Sequence, residues 1–174
     1  MTLSLYDISV PSLLRGLDTL SHLLDKGQAH AQEQGIEVEQ LLGGRLAPDM
    51  YTLIRQVQAA SDAAKFGAAR LGGIAPPSFP DTETTLDELR ERIARTREFL
   101  HSVPRESIEG QEQREIVIRP PNAPELKFVA ADYIRFFVLP NFYFHLTTAY
   151  GILRHQGVAL RKPVFLAAGS IRPA

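Results

Sequence analysis

Two polar side chains stand out by type and spacing: Asn141 and His145, one helical turn apart in the stretch Asp132–Gln156. That stretch is the longest apolar-periodic run of the chain. Ile134, Phe137, Val138, Asn141, His145, Thr148, Ala149 and Ile152 recur at helical spacing and form one inward-facing stripe. An imidazole there can serve as a hydrogen-bonding core group, as part of a small-molecule pocket with Asn141, or as a metal ligand. The other histidines, 22, 30, 101 and 155, offer no ligand spacing, because the eight-residue step from His22 to His30 is too long for one ion. They read as solvated.

Other chemistries find little support. The chain has no cysteine, hence no disulfide, thiolate metal site or thiol nucleophile. No serine sits in a G-x-S-x-G context. Gly43-Gly44 lacks the lysine and hydroxyl residue of a phosphate loop, and no carboxylate pair stands out for acid–base work. Nineteen basic residues against twenty acidic ones leave a formal charge of −1, so nucleic acid and anionic membranes are not expected partners. MTLSLYDISV lacks the features of a secretory signal, and no run approaches the roughly 20 apolar residues that span a bilayer. The expectation is one cytoplasmic domain over residues 1–174.

Four amphipathic helices position the stripe. The first is expected over about 11–34, opened by Pro11 and stopped by Gly35, with Leu13, Leu17, Leu20 and Leu24 inward. A helical turn at Glu37–Leu42 follows. The second helix is expected over about 48–71, with Pro48 and Asp49 in its first turn, and with Ala60, Ala63 and Gly67 on a flank small enough to admit a close neighbour. Thr85 and Glu88 form a capping box for a third helix, about 86–103, whose charges at Glu88, Glu91, Arg92 and Arg95 read as its wet side. REIVIR and ELKFVA, split by a proline-containing loop, predict a hairpin over about 114–130 that must lean on the helices, since a lone hairpin is marginal. The last helix is expected over about 132–156. Pro140 should bend it and Gly157 end it, leaving 158–174 as a tail. Its aromatic residues project on more than one side, so it should be central or covered by a partner. The fold class is all-α, a four-helix bundle with a small hairpin before the last helix.

RLAPDMYTLIRQVQAASDAAK (45–65), DTETTLDEL (81–89) and LPNFYFHLTTAYGILRHQGV (139–158) resemble a family of uncharacterised bacterial and fungal proteins grouped with the DinB/YfiT-like four-helix-bundle superfamily. The resemblance runs from the first helix to about Ala167. It implies a homodimer and, in many members, a divalent metal on three histidines: one on the second helix, and two as His-x-x-x-His on the last. Some metal-bearing relatives use a low-molecular-weight thiol. His145, Arg154 and Gly157 match the last-helix pattern; the other two ligand positions fall on Asn141 and near Gln56. Asn and Gln present only neutral carbonyl oxygens to zinc or nickel. The resemblance therefore implies a degenerate metal site with no resident cofactor. Its candidate residues are expected to form a small-molecule pocket of Asp49, Gln56, Asn141 and His145, and the expected protein is a non-catalytic or small-molecule-binding homodimer. The alternative is a metal-dependent enzyme, a thiol-linked transferase or hydrolase, with His145 as a ligand.

Overall fold

The computed structural model describes residues 3–120 and 123–167. Helix α1, Leu5–Gln34, begins six residues earlier than Pro11 suggests. Ser4 caps it: its hydroxyl accepts the Asp7 N–H at 3.3 Å, and the Asp7 carboxylate accepts the Ser4 N–H at 3.2 Å. Pro11 thus lies inside the helix. An interior proline costs about 3 kcal/mol, which the burial of Leu5, Val10, Leu13 and Leu17 on either side of it offsets. Gly35, at φ 64°, closes the helix with its N–H on the Ala31 and Gln32 carbonyls.

After the short α2, Val38–Leu42, comes α3, Leu53–Gly72. The expected start at Pro48 is corrected. Pro48–Met50 belongs to a turn in which the Met50 N–H meets the Ala47 carbonyl at 3.0 Å, and the Thr52 hydroxyl caps the helix by accepting the Arg55 N–H. Helix α4, Leu86–Ser102, starts at the expected Thr85–Glu88 box. The Glu88 carboxylate accepts the Thr84 and Thr85 N–H groups at 2.7 and 2.9 Å, which hold its pKa down to about 2. A turn of helix not anticipated from sequence, α5 Arg105–Ile108, buries Ile108 and ties Arg105 to Asp7 at 2.8 Å.

Strands β1, Glu115–Ile118, and β2, Leu126–Val129, pair antiparallel with Ile116 opposite Phe128. The hairpin rests on the helices through a cluster of Phe128, Tyr133 and Phe137, whose ring centroids lie 5.5 to 5.7 Å apart. The chain then enters α6, Ala130–Asp132, six π-helical residues, Tyr133–Val138, and α7, Leu139–His155. The wide turns stand immediately before Pro140. A regular turn would drive the proline ring toward the carbonyl of Phe136, four residues back, and a π turn makes room for it. Residues expected as a tail instead form α8, Lys162–Ala167, with Pro163 near its start; it docks on α1 through Arg15 and the Leu166 carbonyl at 2.7 Å.

The result is mostly helical with one small antiparallel hairpin. Helix α3 lies between α4 and α7, and α1 closes the circuit by packing on both α4 and α7. Antiparallel passage of α3 and the Tyr133–His155 segment is tight. A Cβ on Gly67 would stand 2.5 Å from Val138 Cγ1, so the small flank of α3 does admit a close neighbour. The aromatic run is split: Phe142 is fully buried, whereas Phe136 and Phe144 are exposed. Gly67→Val should destabilise the fold by about 1–3 kcal/mol through overpacking. Urea unfolding measures this, and an unchanged midpoint would refute the contact.

Candidate functional site

His145 lies on α7 and reaches α3. Its Nδ1 is 2.8 Å from Oε1 of Gln56, a side chain only 1% exposed. With an amide oxygen as acceptor, Nδ1 carries the proton and Nε2 keeps a lone pair. Tyr51 stacks on the ring at 6.3 Å between centroids and Phe144 meets it edge-on at 5.3 Å. Burial holds the imidazole pKa below its ordinary value, so the ring is neutral at pH 7.

His145 lines a cleft of about 330 Å³ between α3 and the Tyr133–His155 segment. On α3 its wall is Arg55, Ala59, Asp62, Ala63, Phe66 and Arg70; opposite stand Tyr133, Phe137, Val138, Asn141 and His145, with Ile118 from the hairpin and Tyr51 and Asp81 from loops. Arg55 and Asp81 stand toward one end and Arg70 and Tyr133 toward the other, with Asp62 among apolar residues between them. By helical rise, Arg55 and Arg70 are roughly 22 Å apart along α3.

Of the four candidates named from sequence, Asn141 and His145 line this cleft, and Gln56 supports it from behind by its bond to Nδ1. Asp49 does not take part. It is exposed in the turn before Thr52 because the helix starts later than its proline suggests.

Sequence reasoning missed the charged cluster beneath the cleft. Arg92, read as part of the wet side of α4, is 2% exposed. Its guanidinium contacts Asp62 at 2.9 Å, Asp81 at 3.0 Å and Glu83 at 3.0 Å, and its Nε donates to the Ser61 hydroxyl at 3.2 Å. Lys65, equally buried, pairs with Asp62 at 2.8 Å between the rings of Phe66 and Phe79. The proline-rich loop that carries Phe79, Asp81 and Glu83 folds back over α3 and α4, turning a nominal outer face inward. The signal was present: Leu89, Arg92, Ile93, Thr96 and Leu100 share one stripe at helical spacing, and all five are buried.

A divalent metal fits this donor set poorly. One imidazole, with one nitrogen already engaged, faces a neutral amide on each flanking position. Among the described residues no group of three or more His, Cys, Asp or Glu is placed to hold an ion. Nor is any helix of the described residues long and apolar enough to cross a membrane.

The fold and site define a mostly helical protein with a closed circuit of long helices and a ligand-sized cleft between two of them. Over residues 5–166 the chain matches the family described as a domain of unknown function, DUF1993, and it belongs to that family. Among solved structures it is similar to a DinB family member from Shewanella denitrificans, at 38% identity and a TM-score of 0.89, over 98% of this chain and 94% of that one. The resemblance to a DinB-like domain thus holds. No curated protein matches the chain.

Arg92→Ala would leave Glu83, the most buried of its three carboxylate partners, without its ion pair, and should cost about 3–5 kcal/mol. Denaturant unfolding at neutral pH reads this, and a loss below about 1 kcal/mol would show the cluster to be effectively solvated.

Proposed function

We propose that this protein binds a small organic molecule in the cleft between α3 and α7 without a resident metal, in a site where Gln56 and Asn141 occupy positions at which relatives carry histidine. The fold is read as a DinB/YfiT-like four-helix bundle of α1, α3, α4 and α7. The carrying observation is the 2.8 Å bond between His145 Nδ1 and the buried Gln56. It fixes one tautomer and leaves Nε2 as a hydrogen-bond acceptor on a ring that lines the cleft, with the Asn141 amide one turn away. Binding is favoured over catalysis because both carboxylates lining the cleft are committed: Asp81 to Arg55 at 2.5 Å, Asp62 to Lys65 and Arg92. Neither is free to act as a base, and a neutral amide supports His145 less strongly than a carboxylate would.

Elemental analysis of protein purified without added metal separates this reading from a metal-dependent transferase or hydrolase. The expected result is less than stoichiometric zinc, nickel or iron, and no zinc-induced rise in melting temperature. Introducing Gln56→His and Asn141→His together should create such a rise, abolished by His145→Ala. Stoichiometric metal in the native chain, lost in His145→Ala, would overturn the proposal.

The reading includes a homodimer. Phe136 is 64% and Phe144 57% exposed, eight residues apart with Pro140 between them, and a second copy would remove that surface from water. Sedimentation equilibrium at micromolar concentration should return twice the chain mass; a monomer mass would remove this part.

A further inference from the structure

The charges lining the cleft are equal in number, but their pairing leaves one arginine over. Four charged side chains line it: Arg55, Asp62, Arg70 and Asp81. Arg55 is paired with Asp81, and Asp62 with Lys65 and Arg92. Arg70 has no carboxylate within ion-pair distance among the described residues. Its half-buried guanidinium lies 5.2 Å from the centroid of the Phe66 ring and donates one N–H to the Tyr133 hydroxyl at 3.0 Å. That hydroxyl, accepting from Arg70, retains its own proton to donate. Tyr133 is 1% exposed and also lines the cleft. A planar fork with donors to spare, beside a buried hydroxyl, is the arrangement that receives a two-oxygen anionic head. Next to it the wall turns apolar, with Ala63, Phe66 and Phe137.

We propose that the ligand of this cleft is an organic carboxylate, its head on Arg70 and Tyr133 and its apolar body along Ala63, Phe66 and Phe137. This rests on the reading of the cleft as a small-molecule site and names the class of molecule. A purely structural Arg70, tying the last turn of α3 to the π-helical segment through Tyr133, would need the same hydrogen bond but would not distinguish between ligands.

Sodium octanoate and octanamide, alike in body and different in head, are titrated into isotope-labelled protein while the backbone amides of Ala63, Gly67 and Val138 are followed by NMR. Octanoate is expected to shift these amides with a dissociation constant at least about tenfold below that of octanamide, the margin of a charge-assisted pair over a neutral one. Arg70→Gln should abolish the difference. Arg70→Lys, which keeps the charge and loses the fork, should reduce it, providing a second measure should the glutamine variant fail to fold. Equal binding of acid and amide at these amides, or an undiminished preference in either variant, overturns the carboxylate assignment while leaving the cleft as a binding site. If neither compound shifts them at millimolar concentration, both the assignment and the cleft reading fall.

Discussion

Arg92 cannot be buried alone. Taking a guanidinium out of water costs several kcal/mol even after relaxation, and only close, hydrogen-bonded counter-charges return it. Here those come from two places: Asp62, one turn ahead of Phe66 on α3, and Asp81 and Glu83 in the loop between α3 and α4. The requirement therefore fixes the loop as well as the helices. Asp81, held from below by Arg92, is the partner of Arg55 at the rim, and Arg55 lies over the Tyr51 ring that stacks on His145. One desolvated cation beneath the cleft thus sets the position of its His145 end.

The other end depends on backbone proximity. Gly67 lets α3 approach the π-helical segment until Val138 occupies the space of a side chain. The widened turns ahead of Pro140 bring Tyr133 and Phe137 to the cleft wall, where they meet Phe128 of the hairpin. The hairpin, too small to persist by itself, becomes part of the wall through Ile118. A local irregularity in the helix and a glycine on its neighbour together shape a cavity that two straight, fully packed helices would close.

At the His145 end, a hydrogen bond from the imidazole to Gln56 joins α7 to α3 inside the protein. A glutamine at 1% exposure must satisfy its amide, and the imidazole supplies the partner. The bond ties the two helices at the level where Tyr51 stacks on the same ring.

Helix identity was largely legible in the sequence because it is written locally: apolar residues at helical spacing, the Thr85–Glu88 box, and the glycines at 35, 73 and 157 that adopt positive φ. The one-turn spacing of Asn141 and His145 was legible for the same reason, but Asn141, expected inward, is exposed. Helix starts were misplaced where a proline outweighed a nearby hydroxyl, so that Ser4 and Thr52 were passed over as caps and Asp49 was drawn into the site. The burial of Arg92 and Lys65, the lack of a carboxylate beside Arg70 among the described residues and the contact of Gln56 with His145 required the tertiary structure. Each depends on which side chains from distant segments share one dry space, and neither helical period nor charge count carries that information.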